Sequence, residues 1–520
     1  MRRLRLPSPS LPDLTFVVLA LFVPLVRGNP LLNSDGDMGR HIRIGEHMLT
    51  HGLLHEDLFS FTKLGQPFVG FEWLSEVFFA GLYRLGGLAL ISVACGLLVA
   101  FTYAYLTHFL LRRGVDPLLA YVTGLVAAML GSLHWLARPH LFTLLGTVLV
   151  MGRLERDDRG ASPWTYLPIF AVWANLHGGF LFGIVTIGIY LAGCLLEAIG
   201  RAEREQWLAR ARRTLQAMGF AIAGTFINPY GAELPLHVLG WFKSTYAIDH
   251  THEYLSPNFH ELIGKFVLVV LIAMVGALAL SRRRPSYPRL LLILATMASC
   301  LIYQRNIPLM GLTALAALAL HLDAEWRTLP DPLGIRAVFI RDSAGRRTGP
   351  WSVAVAIPLL LLTLSASPLA ARKLVPAYWN PEVFPVKAVA KARAAGLEGR
   401  IFNEFIWGGY ILKEWPEQKV FIDGQTDFYG DDLMWQHGQI AALAPGWRDL
   451  LRKWKIEMVL MPTGSGLAYE LVREPAWSIW HCDPTAVLLR RDAALEAAGH
   501  PAGAGPEDGE RRLRKCGAAK

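Results

Sequence analysis

Asn33-Ser-Asp-Gly-Asp37-Met-Gly-Arg-His41 sets two carboxylates just past the end of the first apolar segment, which runs from about Leu14 to Val26. Arg2, Arg3 and Arg5 precede that segment. Basic flanks stay on the cytoplasmic side of a membrane, so this start places Asp35 and Asp37 on the opposite face. A secretory signal peptide is the competing reading of residues 1–28. The flank Val26-Arg-Gly-Asn-Pro30 lacks a small-x-small cleavage site, and many further apolar segments follow, which favours a membrane span.

The rest of the chain extends that choice. Hydrophobic residues make up 53% of the 520 and charged residues only 18%, against about 25% charged in soluble domains. The apolar residues fall in blocks of helix-spanning length. About eleven such blocks are expected as spans, near 13–28, 87–111, 116–133, 140–154, 162–176, 178–199, 213–228, 262–281, 288–303, 306–322 and 350–369. With that count the basic connections all fall on the cytoplasmic side: Arg112-Arg113, Arg153 to Arg159, Arg201 to Arg213, Arg282-Arg283-Arg284 and Arg327 to Arg347. Orientation therefore accounts for the net charge of +9, and with no base-reading motif present no nucleic acid partner is implied. Phe71 to Leu85 is apolar and aromatic, but a span there would invert every later loop. It is expected as a juxtamembrane helix on the outer face, broken from the next span at Gly86-Gly87.

Polar residues then collect on the outer side. The first loop, 29–86, carries Asp35, Asp37, His41, His47, His51, His55 and Glu72; later outer connections carry His134, Arg138, His140, Asn175, His177, Asn228, Tyr230, Glu253 and Arg305. Polar groups at membrane depth are costly, and where they converge they commonly line a site, here expected as one outward-facing polar bowl.

Beyond the last span, helical stretches near 383–395, 431–442 and 446–455 alternate with strand-like runs at 399–404, 419–423, 456–461, 477–482 and 486–490. That alternation predicts a soluble α/β domain over 370–495, followed by a Gly/Ala/Arg-rich tail, 496–520, expected to be disordered. The fold class expected is thus a polytopic α-helical membrane protein, its membrane module spanning 1–369, with a C-terminal extracytoplasmic α/β domain. Of five cysteines, Cys95, Cys194 and Cys300 fall in expected spans, while Cys482 and Cys516 fall in the outer domain and tail, where a disulfide is possible.

An acid-x-acid motif after the first span, a long first outer loop, many later spans and a terminal outer domain together resemble the GT-C superfamily of polyprenyl-phosphate-dependent glycosyltransferases. More specifically, Phe59-Ser-Phe-Thr, Glu72-Trp73-Leu, Trp173-Ala-Asn175-Leu-His177-Gly-Gly, Asn228-Pro-Tyr230-Gly and Val420-Phe-Ile-Asp423-Gly resemble bacterial membrane proteins grouped with that superfamily. The resemblance implies a multi-pass protein of the bacterial inner membrane that moves a sugar from a polyprenyl-phosphate donor to a lipid, glycan or protein acceptor at the outer face.

Such transfer builds negative charge on the departing phosphate and requires the acceptor hydroxyl to lose a proton. Asp35 and Asp37 are the candidates for that base, or for holding a divalent cation, Mg or Mn. Arg138 and Arg305, with His134 and His140, are candidates for the donor phosphate, since guanidinium binds phosphate through two parallel hydrogen bonds. Glu72, Asn175, His177, Asn228 and Tyr230 are candidates for substrate binding. Blander readings stand beside these. The Asp-Gly-Asp is also a good solvated turn in which Asp35 caps a following helix. The two arginines also suit headgroup anchoring, Asn175 and His177 interhelical hydrogen bonding, and Asp423 a structural turn at a strand end. No counterpart of the second metal-binding acidic motif of oligosaccharyltransferases appears around 134–140. Other classes stay open: a transporter or flippase of a lipid-linked sugar, or a non-catalytic assembly subunit. No internal repeat favours transport.

Overall fold

The computed structural model describes residues 8–156, 162–199, 203–241, 245–343, 349–364, 374–492 and 506–517. Arg2, Arg3, Arg5, Arg159, Arg201, Arg347 and positions 365–369 of the expected last span lie outside them. The chain divides into two compact units. The first comprises Met1–Leu31, Leu85–Val238 and Asp249–Pro376, and the second Leu32–Arg84, Leu239–Ile248 and Ala377–Lys520. The first outer loop, expected within the membrane module, shares a unit with the C-terminal domain.

The first unit is helical, and a helix lies at every expected span. Apolar blocks form these helices because a backbone without water must satisfy its own hydrogen bonds. Their starts carry local signals. Ser10 and Asp13 form a capping box before Leu11–Val26, and Asp116 accepts from two backbone N–H groups of Pro117–Gly131. Among the described residues five helices are long and apolar enough to cross a membrane: Trp73–Arg112, Pro117–His134, Phe180–Glu197, Leu262–Leu280 and Gln304–Trp326. Leu11–Val26, His140–Leu154, Tyr287–Ile302 and Pro350–Thr363 are shorter apolar helices. Trp73–Arg112 is broken at Gly86 and at Gly87, whose φ of 62° suits glycine, so the juxtamembrane segment and the following span separate where the Gly-Gly pair stands. At the basic helix ends, Arg289 pairs with Glu155 at 2.8 Å and Arg284 with Glu197 at 3.1 Å, which satisfies two buried carboxylates.

The second unit is built on a four-stranded sheet of β1 (Ile401–Asn403), β2 (Met458–Pro462), β3 (Trp477–Cys482) and β4 (Ala486–Arg491), in the order β1-β2-β4-β3. β1 and β2 are parallel and joined by a helical crossover, while β4 pairs antiparallel with both β2 and β3. The run 419–423 is not a strand. Val420 makes an isolated bridge to Ser60, and Asp57, which accepts from the N–H groups of Phe59 and Ser60, turns that partner segment away before a ladder can form. The helix Asp37–His51 of the first loop packs on Gly408–Glu414, where a Cβ on Gly39 would overlap the Gly409 carbonyl. Ile44 and Met48 of that helix join Trp407, Tyr410, Ile411 and Leu460 in one core. The tail is not wholly disordered as expected: Pro506–Gly517 is helical, Leu513 is fully buried and Cys516 is disulfide-bonded to Cys482. Buried Leu513, the crosslink and an ion pair of Glu510 with Arg473 hold a segment that composition alone marks as solvated.

Candidate functional site

The helix Asp37–His51 places Asp37, Arg40 and His41 on one face by their i, i+3, i+4 spacing. Glu72 and Glu76, four apart, flank the start of Trp73–Arg112 and face the same point. The close approach depends on Gly45, where a Cβ would overlap the Glu76 carbonyl. Arg40 is the hub. Its Nη1 donates to Glu76 Oε1 at 3.2 Å and to Gln425 Oε1 at 2.8 Å. Its Nη2 lies 3.5 Å from Glu72 Oε2 and 3.4 Å from His41 Nδ1. The Arg40 and Glu76 side chains are only 5% and 2% exposed. Asp37 lies against the Gly424 backbone. Asp423 accepts from the Gln425 N–H at 2.9 Å and the Tyr429 hydroxyl at 3.1 Å.

Burial works against charge here, and the acids share one guanidinium. Burial pushes Glu72 up to about 8 despite the pull of Arg40, and pushes Asp423 up to about 6 in the same way. Burial opposes the charge on Arg40 too, but Glu76, then Asp423, Asp37 and Glu72 outweigh it and keep the guanidinium firmly protonated. Asp35 is half-buried at the helix start, where its Oδ1 accepts from the Asp37 N–H at 3.0 Å.

Among the described residues, one group of His, Cys, Asp and Glu side chains converges with metal-ligand closeness: His41, Glu72 and Glu76, whose donor atoms lie within 4.8 Å of one another. Neither Asp35 nor Asp37, the pair expected to hold Mg or Mn, belongs to it. The Arg40 guanidinium reaches all three of its donor residues. A divalent ion needs those atoms at about 2.0–2.6 Å. With Arg40 among them it has no seat and meets a like charge, so the donor set as built fits a guanidinium and not a metal.

The first unit gathers a second group at helix ends. His134 ends the turn Ser132–His134, His140 opens His140–Leu154, His177 follows Tyr166–Leu176, and Arg305 sits in the turn before Ile307–Trp326. Arg305 and His134, together with Arg138, meet at Glu253. Its carboxylate lies 3.3 Å from Arg305 Nη1, 3.9 Å from Arg138 Nη1 and 3.4 Å from His134 Nε2. Burial alone would raise Glu253, yet Arg305 and then Arg138 hold it below the usual carboxyl range. Arg305 also lies over the Tyr254 ring, 4.4 Å from its centroid.

The histidines are oriented by a relay. Trp173 Nε1 donates to Thr143 Oγ1 at 2.9 Å, and Thr143 bonds His177 Nδ1 at 2.7 Å. The Gly179 N–H also donates to that nitrogen, which assigns the proton of neutral His177 to Nε2. His140 Nε2 lies 2.7 Å from the His134 carbonyl and so carries its proton there. Asn175, by contrast, directs its amide to the Ala171 and Ile227 carbonyls. Asn228 bonds Thr225 and Gly231 and accepts from the Tyr230 N–H. These residues brace the turn carrying buried Tyr230.

The expected candidates therefore fall into two groups, Asp35, Asp37 and Glu72 in the second unit, and Arg138, Arg305, His134, His140 and His177 in the first. Arg40, Glu76 and Gln425 were not singled out from sequence. The i, i+4 pairs Asp37/His41 and Glu72/Glu76 were the available signal. Glu253 was seen in its loop, but nothing local marked it as the shared partner of two distant arginines.

A helical first unit and a second unit that joins the first outer loop to a small C-terminal sheet make up a fold that solved membrane proteins share. The archaeal oligosaccharyltransferase AglB from Archaeoglobus fulgidus, solved with an inhibitory peptide and a dolichol-phosphate, matches with a TM-score of 0.53 at 12% identity over 87% of this chain and 69% of its own. The apo form of the Archaeoglobus fulgidus oligosaccharyltransferase matches at 0.53 and 10% identity, over 93% of this chain and 74% of its own. ArnT from Cupriavidus metallidurans matches at 0.51 and 17% identity, over 93% of this chain and 98% of its own. No protein-family model matches the chain, and no curated protein sequence matches it significantly.

Proposed function

We propose that the chain is a glycosyltransferase of the bacterial inner membrane that moves a sugar from a polyprenyl-phosphate donor to a lipid, glycan or protein acceptor at the outer face. The observation that carries this reading is the convergence of Arg138, Arg305 and His134 on one carboxylate, Glu253. Two fixed cations meeting one carboxylate leave a net positive site at helix ends, suited to a lipid phosphate whose chain stays in the bilayer. The dolichol-phosphate present in a structure of the same fold supports it. Placement of the second unit outside the cytoplasm is supported by the Cys482–Cys516 disulfide, a bond that persists in oxidising compartments.

In the proposed reaction the acceptor oxygen bonds the anomeric carbon as the carbon–oxygen bond to phosphate breaks, and that bond's electrons go to the phosphate oxygen. Asp37 takes the acceptor proton, with Asp35 fixing the helix start that carries it. Arg138 and Arg305 neutralise the departing phosphate, and His134 and His140 complete its surround. Glu72, held as a neutral acid near pH 7 by burial despite Arg40, donates a hydrogen bond to a sugar oxygen. His177 donates through Nε2, while Asn175, Asn228 and Tyr230 act by bracing. No step passes through a metal.

The test is donor binding by the purified chain. Arg138→Gln and Arg305→Gln should each weaken binding of polyprenyl phosphate about tenfold to a hundredfold, the worth of one charge-assisted hydrogen bond. Lys should rescue only in part, because an ammonium lacks the two-pronged contact. Undiminished affinity in both folded Gln variants would remove the phosphate from this site.

A further inference from the structure

We propose that the Arg40 guanidinium is the resident cation of the acid cluster in the second unit, standing where a divalent ion would otherwise gather His41, Glu72 and Glu76. The charge balance requires a cation at this point. Glu72 and Glu76 both lie within reach of Arg40, the Glu76 side chain is nearly fully buried, and among the described residues its Oε2 has no hydrogen-bond partner. Acids so placed repel one another unless something positive sits between them. Arg40 does sit there. It reaches His41, Glu72 and Glu76, the three residues whose donor atoms lie within 4.8 Å, and bonds Gln425 besides.

The seat is also built for a guanidinium. Arg40 and Asp37 share one helical face, so the cation moves with the acid proposed as base. Its Nη1 donates to Glu76 and to Gln425 at once, using the planar fork that a spherical ion lacks. Its Nε is buried and among the described residues has no hydrogen-bond partner, so the terminal nitrogens carry the contacts. A metal at the same donors would have to expel a buried side chain that is always charged. Arg40 is therefore a positioning residue that replaces a cofactor.

The test reads metal uptake, not transfer, so its outcome is independent of the glycosyltransferase reading on which the role of Asp37 rests. The purified full chain is titrated with Mn2+ on the order of 100 µM, a range that fills sites of moderate affinity, and bound ion is followed by electron paramagnetic resonance. The wild-type chain should take up no stoichiometric Mn2+. Arg40→Met should gain about one Mn2+ per chain, since three converging donors are freed, and Glu76→Gln in that background should abolish the gain. Arg40→Lys, which keeps the charge, should stay without metal. Wild-type uptake of one Mn2+ that Glu72→Gln or Glu76→Gln removes would overturn the proposal, as would a folded Arg40→Met chain that takes up none. Should Arg40→Met fail to fold, the wild-type and Arg40→Lys titrations still decide.

Discussion

Replacing Glu253 by Gln should make the chain bind polyprenyl phosphate more tightly. In the structure the Glu253 carboxylate sits where the donor phosphate is proposed to go, between Arg305 at 3.3 Å and Arg138 at 3.9 Å. At an effective dielectric of about 20, each contact is worth roughly 4–5 kcal/mol in gross Coulomb energy. Most of that is returned as desolvation, and charge-assisted hydrogen bonds contribute about 1.5–3 kcal/mol net. The Glu253 side chain is 22% exposed, so solvent screening only partly reduces its hold. An incoming phosphate must displace or share this anion. Gln keeps the shape and removes the charge, which should raise affinity by about tenfold to a hundredfold. Equilibrium binding of a labelled polyprenyl phosphate to purified wild-type and variant protein measures it. Unchanged or weaker binding by a folded Glu253→Gln chain would mean that the carboxylate organises the arginines instead of competing for them, and the reasoning would fail.

Gly39→Ala should destabilise the chain by about 1–3 kcal/mol, read as a lower melting temperature, because the new methyl group overlaps backbone at Gly409 that cannot rotate away. Stability should fall as pH rises from about 4.5 to 8, because Glu72 has a folded pKa of about 8 against 4.5 and the folded chain holds a proton there that the unfolded chain has released. Melting curves at pH 6 and 8.5 should show this slope, and Glu72→Gln should flatten it. A reporter active only outside the cytoplasm, fused after Trp379, should be active; activity of a cytoplasmic reporter at that point would reverse the proposed orientation.

The helices were legible because burial in lipid leaves a local record. A run such as Leu262–Leu280 needs no partner to be recognised, and the Gly86-Gly87 break could be placed because glycine punctuates a helix wherever it stands. The second unit was legible in its strands at 401–403, 458–462, 477–482 and 486–491 but not in its composition, since nothing in residues 32–84 announces that Ile44 packs against Trp407. The same limit hid the centre of the acid cluster. Arg40 lies within the acid-x-acid stretch Asn33–His41, yet its partner Gln425 is 385 residues away. The run 419–423 has strand-like residues, and its single bridge to Ser60 depends on a turn at Asp57 that sequence does not connect to it. The tail helix is held by a buried leucine, a disulfide and an ion pair to Arg473, contacts with no periodicity to detect.

Transfer by the purified chain from a synthetic polyprenyl-phosphate sugar, compared between wild type and Asp37→Asn, tests the proposed function most directly. The wild-type protein should transfer the sugar, and Asp37→Asn, folded and still binding the donor, should lose on the order of 10²–10⁴-fold in rate, the contribution of a positioned base. Full transfer by Asp37→Asn and by the Asp35→Asn/Asp37→Asn double variant, or no transfer by the wild type from any such donor, would contradict the account.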